Sequence, residues 1–258
     1  MLAVISPAKS LDFSPVTHDV PRTKPLFPKD TEELIEKARG LKAKDLKKLM
    51  GISDKLADLN VDRFQSFDTD PDPRGAKQAI LAFKGDTYIG FDAGTLSDDD
   101  LKYAQDHLRI LSGLYGVLRP LDALQPYRLE MGTKFKTERG KTLYDFWGKK
   151  IAQSLNDSDP GLIINLASNE YWDAVDKDTL RAKVITPVFK EVKDGKARTL
   201  GLFAKRARGM MARYIVENRV KDEAALKKFN AEGYEFQPDL SDETTWQFHR
   251  PQPKPKSR

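Results

Sequence analysis

Short apolar runs alternate with polar, Pro- and Gly-rich segments along the whole chain, and this pattern predicts a mixture of strands and helices. "LAVIS" at the start and "GLIINLA" at 161–167 are continuous apolar runs, which predict buried strands. Apolar residues at three- and four-residue spacing predict helices instead. Residues 30–67 contain three such helices: from Asp30 or Thr31 to Gly40, from Lys42 to Met50, and from Ser53 to about Phe67.

The second half of the chain continues the mixed pattern. Ser97 precedes three aspartates and predicts a helix start, because acids favour the positive end of the helix dipole; this helix should reach about Ser112. "LYDFWGKKIAQSL" predicts another helix, and a long one is expected from Ala204 to Val220. Asp194-Gly195 predicts a tight hairpin joining "VITPVFKEV" to "ARTLGLFA", and "GYEFQP" and "TTWQFHR" read as late strands.

One stretch leaves two interpretations open. "QAILAF" and "TYIGF" flank residues 84–86, and they fit either a hairpin or a passage from helix to strand. The order of all these elements predicts an α/β fold of the mixed α+β kind, with a mixed sheet surrounded by helices. We expect a single domain over residues 1–250, since 258 residues can bury a full core and no composition break divides them.

The length of the apolar runs and the composition of the chain ends indicate where in the cell the protein is located. No run reaches the roughly 18 residues that a membrane helix needs, and no basic stretch precedes the first apolar run. We therefore expect a cytoplasmic protein without a membrane partner. "PQPKPKSR" at 251–258 is predicted to be a disordered basic tail.

Composition narrows the chemistry that the chain can perform. It has no cysteine and three histidines, no two of which share a helical turn, so we predict neither a metal site nor a cofactor. The net charge is +5, and residues 36–55, 205–213 and 250–258 each carry a surplus of four positive charges. Such clustering favours a polyanionic partner, although a solvated basic face is the alternative at each cluster.

The Gly-Ile-Ser turn between the second and third helices carries specific local chemistry. Gly51 ends one helix in the left-handed conformation that costs glycine least, Ile52 drops between the apolar faces, and Ser53 caps the next helix. The first N–H groups of that helix are unpaired and can bind an anion. Three lysines surround this turn and add charge for a phosphate: Lys47, Lys48 and Lys55.

This turn resembles the helix-hairpin-helix motif of DNA repair proteins, which runs hydrophobic-x-Gly-hydrophobic-Gly-x-x-x-Ala. The matching positions are Leu49, Gly51, Ile52, Lys55 and Ala57, within an element of about residues 42–67. Ser53 stands where the motif has its second glycine. Asp54 places a negative charge where a phosphate would approach, so phosphate binding should be weaker. A purely structural turn between two helices is the alternative.

Two further basic segments have an open interpretation. The helix at 204–220 puts Lys205, Arg206, Arg208 and Arg213 opposite its apolar arc, as either a phosphate-facing stripe or an ordinary surface helix. Between 107 and 135, Arg119 and Arg128 lie among aromatic residues on an irregular path of the sort that lines a cleft. Stacking on exposed bases and snorkelling at the core edge both explain such pairs.

Several segments together resemble the family of the peroxide stress resistance protein YaaA, from about Met1 to Phe236. They are "ISPAKSLDF", "ISDKLADLN.DRF", "QAILAFKGD.Y.G", "LSGLYGVLRPLD..QPYRLEMG", "LYDFWG", "INLAS.EY", "KRARG.M.R.I.ENR" and "FN.EGY.F". The resemblance implies a bacterial cytoplasmic protein with a single-domain mixed fold peculiar to that family. It also implies a role in limiting DNA damage by hydrogen peroxide, associated with lowered unincorporated iron.

The same resemblance implies double-stranded DNA binding through a helix-hairpin-helix element and a positive cleft. Carried over to this chain, the implied contacts are the hairpin from Gly51 to Lys55 and the residues Lys9, Lys84, Arg119, Arg128 and Lys205 to Arg213. We expect a monomer that binds DNA mainly through its phosphates.

An enzyme acting on nucleic acid or a nucleotide is the competing class. Ser6 and Lys9 follow the first strand and Glu170 follows "GLIINLA", at strand ends where α/β proteins often keep their chemistry. Lys9 can be a Schiff-base nucleophile or a phosphate clamp, and Glu170 a general acid or base. No P-loop or Rossmann fingerprint supports a specific reaction.

Iron sequestration by the aspartates at 98–100 is a third hypothesis for the function. Side chains at consecutive helix positions do not converge on one ion, however, and helix capping explains these aspartates better.

Overall fold

Helices and strands alternate through residues 1–70 and 73–254, the part of the chain that the computed structural model describes. The strands are β1 (Leu2–Ile5), β2 (Ser10–Leu11), β3 (Lys77–Gln78), β4 (Phe83–Lys84), β5 (Leu108–Ser112), β6 (Gly116–Leu118), β7 (Ala123–Leu124), β8 (Leu162–Leu166), β9 (Lys183–Lys193), β10 (Lys196–Arg198), β11 (Glu235–Phe236) and β12 (Thr245–Pro251). The helices are α1 (Pro28–Arg39), α2 (Ala43–Met50), α3 (Asp54–Gln65), α4 (Ala79–Ala82), α5 (Asp86–Phe91), α6 (Asp98–His107), α7 (Leu143–Trp147), α8 (Lys150–Asp157), α9 (Asn169–Trp172), α10 (Gly201–Glu217) and α11 (Glu223–Leu226).

A mixed sheet forms the centre of the fold, in the strand order β11-β12-β9-β8-β1-β5-β6, with β10 also paired to β9. The pairs β1–β5, β1–β8, β8–β9 and β9–β12 are parallel, and the other pairs of this sheet are antiparallel. Every residue of β1 and β5 is buried, as expected for parallel strands covered on both faces. The fold is therefore the α/β class that the apolar pattern predicts.

The structure differs from the sequence prediction where a helix was expected to continue to Ser112. Helix α6 ends at His107, and the next five residues form β5 beside β1. "LRILS" is apolar enough to continue a helix, but pairing with β1 lets it bury every side chain in the sheet. Tertiary context has decided between two locally acceptable structures.

The boundaries of several other helices also differ from the sequence prediction. Pro28 begins α1, so neither Asp30 nor Thr31 is its cap, because proline suits the first helical turn. "LYDFWGKKIAQSL" breaks into α7 and α8 at Gly148, whose φ is +46°. "TYIGF" lies in the short helix α5, and α10 begins at Gly201 rather than Ala204.

The hairpin at Asp194-Gly195 is present. Both residues have positive φ, 51° and 71°, and β10 pairs with the end of β9 across them. Such a turn matches the twist of the flanking strands. Aspartate and glycine are among the residues that adopt these angles most readily.

The end of the described chain is tied into the sheet. Strand β12 reaches Pro251, the first residue of the predicted tail, and the Gln252 N–H donates to the Val192 carbonyl at 2.9 Å. Arg250, which belongs to the basic cluster at 250–258, is buried and pairs with Glu191 and Glu232. Residues 255–258 of the predicted tail lie outside the described part of the chain.

Helices α5 and α10 cross with their backbones almost in contact. A Cβ built on Gly209 would lie 1.8 Å from the Thr87 carbonyl oxygen, and one built on Gly90 would lie 2.1 Å from the Arg206 carbonyl oxygen. Glycine is needed at both positions because no side chain fits between the two helices. This crossing sets α10 against β1, β8 and β9.

Within the described ranges, every helix is too short or too polar to span a lipid bilayer.

Candidate functional site

The predicted hairpin is present as α2, a tight turn and α3. Gly51 adopts a left-handed conformation, with φ +62° and ψ +40°, and its N–H donates to the Lys47 carbonyl. Ile52 is buried between the helices, whereas Gly51 and Ser53 are exposed. The Ser53 hydroxyl caps α3 by accepting the Leu56 N–H at 3.4 Å. The turn is therefore held by its apolar residue and leaves its polar edge at the surface.

Charges around this turn are only partly paired. Lys47 forms an ion pair with Asp54 at 2.8 Å, which offsets the acid that the sequence places at the turn. In the described part of the chain, the N–H groups of Asp54 and Lys55 at the start of α3 donate to no acceptor, and the side chains of Lys48 and Lys55 have no partner. The turn thus presents two free backbone donors and two free ammonium groups to solvent, a combination suited to a phosphate.

A second feature is a cavity of about 450 Å³ at the carboxyl ends of β1 and β8. Loops that follow these parallel strands form one wall, and the first turn of α5 and the N-terminal half of α10 form another. Five cationic side chains and three carboxylates line it, so positive charge is in excess: Lys9, Lys84, Arg128, Lys205 and Arg208 against Asp86, Glu130 and Glu170. Below, this feature is called the cationic cavity.

Hydrogen bonds between two serines join the strand-end loops. The Ser6 hydroxyl oxygen accepts the Ser168 N–H at 2.8 Å and lies 3.3 Å from the Ser168 hydroxyl. The Tyr88 hydroxyl donates to the Ser6 carbonyl at 3.1 Å. These contacts fix the backbone at the floor of the cationic cavity, and Tyr127 and Tyr171 add further ring surface to its lining.

Two of the carboxylates beside the cavity already have cationic partners. Glu130 binds Lys9 at 2.6 Å and Arg128 at 2.9 Å. Burial alone would raise the pKa of Glu130, but the hydrogen bonds and charges of Lys9 and Arg128 outweigh it and hold that pKa below its usual value. Lys84 pairs with Asp12 at 3.0 Å, and hydrogen bonds from Ser14 together with Lys84 hold the pKa of Asp12 well below its usual range.

Arg208 and Lys205 differ from the other cations of the cavity. Neither has a hydrogen bond or ion pair within residues 1–70 and 73–254, and they lie one turn apart on α10. Arg208 is partly buried, and burial lowers the pKa of its guanidinium, which still remains charged at neutral pH. The free positive charge of the cavity is therefore concentrated on α10.

Helix α3 carries a further cation close to Arg128. Arg63 lies near the end of this helix, and burial and the nearby charge of Arg128 both lower the pKa of Arg63. Arg63 is nine helical steps from Asp54, a rise of about 14 Å. Arg128 itself lines the cationic cavity, so a cation of α3 lies near one wall of that cavity. Arg63 was not identified as a site residue from the sequence, because helix α3 shows no local pattern that distinguishes it.

Three other cations that were predicted as DNA contacts lie outside the cationic cavity. Arg119 binds the buried carboxylate of Asp122 at 2.9 Å, and Arg213 donates to the carbonyls of Phe91 and Asp92 and pairs with Glu217. Both therefore serve intramolecular contacts. Arg206 is exposed on α10 and does not line the cationic cavity.

The enzyme candidates Ser6, Lys9 and Glu170 all line the cationic cavity. Glu170 accepts the Gly132 N–H at 3.0 Å, and its carbonyl accepts the Tyr144 hydroxyl at 2.9 Å. The ion pair with Glu130 makes Lys9 a charge partner rather than a free amine. Sequence reasoning placed Ser6, Lys9 and Glu170 at strand ends but could not show that one cavity collects them.

Residues 98–100 serve the start of α6. Asp100 forms a capping box with Ser97 and also pairs with Arg219 at 2.7 Å, while Asp98 binds His18 and Asp99 contacts Lys102. Among the described residues, no hydrogen-bonding or ion-pair partner is shared between the three carboxylates, which agrees with capping rather than a common metal ion as their explanation.

Replacing Glu130 with glutamine should lower stability only where the native carboxylate is ionised. Because the folded pKa lies below the ordinary value of 4.5, the stabilisation is present above that pH and disappears as pH falls through the folded pKa. Urea unfolding should show a loss of about 1–2 kcal/mol at neutral pH and a smaller difference from the native protein near pH 3. Glu138→Gln, at an exposed position, is the control. A difference independent of pH would contradict this account.

The sheet, the cationic cavity at its carboxyl edge and the exposed helical hairpin define an α/β protein with two basic surface features. The chain belongs to the peroxide stress protein YaaA family, whose model matches residues 1–240. A UPF0246 protein of Caulobacter vibrioides is 55% identical over 257 residues, covering 98% of this chain and 100% of that protein. UPF0246 proteins of Dinoroseobacter shibae and Saccharophagus degradans are 54% and 51% identical, each over 98% of this chain and over 96% and 100% of their own lengths.

Proposed function

We propose that this peroxide stress protein acts in the cytoplasm as a monomer that binds double-stranded DNA, mainly through phosphates. The hairpin at 51–55 binds one stretch of the DNA backbone, and the cationic cavity lies beside a neighbouring stretch of the DNA. Bound in this way, the protein limits damage to DNA by hydrogen peroxide. From the family resemblance we also propose a link to lowered free iron.

The exposed edge of the hairpin carries this proposal. Within residues 1–70 and 73–254, two N–H groups at the start of α3 and the ammonium groups of Lys48 and Lys55 are unpaired, and all four belong to the residues around one solvent-facing turn. Backbone donors and lysines contact phosphate without reading bases. The charge of Arg128, a cavity residue, also acts on Arg63 of α3, which supports a basic surface on both features. Binding should therefore depend on salt and little on DNA sequence.

Salt dependence and charge reversal test the proposal together. If about six phosphates are contacted, affinity for a duplex should fall roughly a thousandfold between about 50 and 200 mM salt, for any sequence. Lys48→Glu with Lys55→Glu should weaken gel retardation of the duplex at least about a hundredfold. Both side chains are exposed, so the melting temperature should stay nearly unchanged.

The matched control reverses two other exposed lysines, Lys221→Glu with Lys228→Glu, which follow the C-terminal end of α10. This variant has the same net charge as the hairpin variant and should lose far less affinity. Equal loss in both variants would show that only net charge matters and would reject the role of the hairpin.

An enzyme acting on nucleic acid or a nucleotide is a second candidate, favoured by one observation. Ser6, Lys9 and Glu170 line a single cavity at the carboxyl edge of parallel strands, where such folds bind and transform small ligands. Turnover of a nucleotide or cleavage of DNA that is lost in Glu170→Gln, with DNA retardation retained, would support this class over simple binding.

A further inference from the structure

The cationic cavity is too small to admit a double helix. A space of about 450 Å³ is within the range of small-molecule sites, roughly 300–1,000 Å³. A duplex can lie across its mouth but cannot enter it. Whatever fills the cavity is therefore a small molecule or a single unit of a polymer.

The charge on α10 indicates one end of that ligand. Arg208 and Lys205 have no partner in the described chain, and Arg208 is partly buried. An unpaired charge that is partly removed from water is costly unless an anion neutralises it. A guanidinium beside an ammonium is a common phosphate-binding pair, because the guanidinium fork matches the phosphate oxygens.

Other groups of the lining indicate the rest of the ligand. Glu130 is already neutralised by Lys9 and Arg128, so it does not compete for Arg208. Glu170 keeps one carboxylate oxygen, Oε2, without a bond in the described chain, and can accept hydrogen bonds from amino or ring N–H groups. Tyr127 and Tyr171 supply aromatic surface in the same cavity. Aromatic surface with acceptors at one end and cations at the other suits a nucleobase joined to a phosphate.

We propose that the cationic cavity binds a single nucleotide, with its phosphate on Arg208 and Lys205 and its base among the tyrosines and Glu170. The nucleotide comes either from solution as a monophosphate or from a DNA strand as an unpaired unit turned out of the stack. The inference deepens the proposed function and rests on it only for the second source.

Binding of deoxynucleoside 5′-monophosphates, followed by calorimetry, tests the proposal. The native protein should bind at least one of the four, and Arg208→Met should weaken that binding roughly tenfold or more. Lys205→Met, at an exposed position that cannot unsettle the fold, should weaken it in the same direction. Arg206→Met, on the same helix but outside the cavity, is the matched control and should bind like the native protein. Binding by none of the four, or unchanged binding in both cavity variants, would overturn the proposal.

A duplex containing 2-aminopurine distinguishes the two sources. Fluorescence that rises on binding the native protein, but not Arg208→Met, identifies an unpaired unit of DNA as the ligand. Monophosphate binding without that rise identifies the free nucleotide. Lys48→Glu with Lys55→Glu should still bind the monophosphate, so loss of duplex binding and loss of the cavity ligand are separate results.

Discussion

Replacing Gly209 with alanine should destabilise the protein by about 3 kcal/mol or more, measured as the free energy of unfolding in urea. A Cβ at this position would lie 1.8 Å from the Thr87 carbonyl oxygen and 2.8 Å from the Phe91 nitrogen. Both obstacles are backbone atoms, so no side-chain rotation relieves the overlap and α5 must move away from α10. Overpacking commonly costs about 1–3 kcal/mol, and displacement of a helix belongs at the upper end or beyond.

Gly201→Ala is the matched control for this prediction, because it changes the same residue type in the same helix. Nothing lies within 4 Å of a Cβ built on Gly201, and alanine is the better helix former by about 1 kcal/mol. That variant should be as stable as the native protein or slightly more stable. A Gly209→Ala protein with native stability would mean that the two helices can separate freely.

Replacing Arg250 with methionine should cost about 3–5 kcal/mol of folding free energy. The Arg250 side chain is 3% exposed and its Nε lies 3.3 Å from Glu191 Oε1, while the Glu191 side chain is fully buried. Arg250 also lies over the ring of Tyr234 at 4.4 Å and pairs with Glu232 at 2.6 Å. Without the guanidinium, the partners left to Glu191 among the described residues are the Tyr234 hydroxyl and the Leu200 N–H. A buried charge then lacks its counterion.

Two variants separate this effect from general loss of surface charge. Arg181→Met, at an exposed position, should change stability by no more than about 0.5 kcal/mol. Glu191→Gln combined with Arg250→Met removes both charges and should recover part of the loss. Equal stability of Arg250→Met and Arg181→Met would show that Glu191 is not held by an ion pair.

The fold class could be predicted because the strongest patterns were local. "LAVIS" and "GLIINLA" contain β1 and β8, and Gly51 and Ser53 end and begin helices as their backbone chemistry dictates. The segment 108–112 could not be predicted in the same way. Its apolar residues suit a helix or a strand, and pairing with β1, more than a hundred positions earlier in the chain, decides between them.

The candidate site was predictable as residue types but not as an arrangement. Lys9, Lys84, Arg128 and the α10 cations were identified as candidates from the sequence. Only the packed structure shows that Lys9 and Arg128 share Glu130, while Arg208 has no partner among the described residues. The structure was also needed to show that Arg119 is paired, because its carboxylate partner Asp122 lies three residues away on an irregular segment. Charge along a sequence does not tell which cations neutralise a buried acid.

Strand β12 has a consequence for synthesis of the protein. It lies parallel to β9 and is made after all other strands of the described sheet. While the chain is still emerging from the ribosome, Glu191 is already present but its counterion, Arg250, is not. The described sheet therefore cannot be complete until β12 has been made, and a chain cut short before residue 245 should be degraded by cellular proteases faster than the full chain.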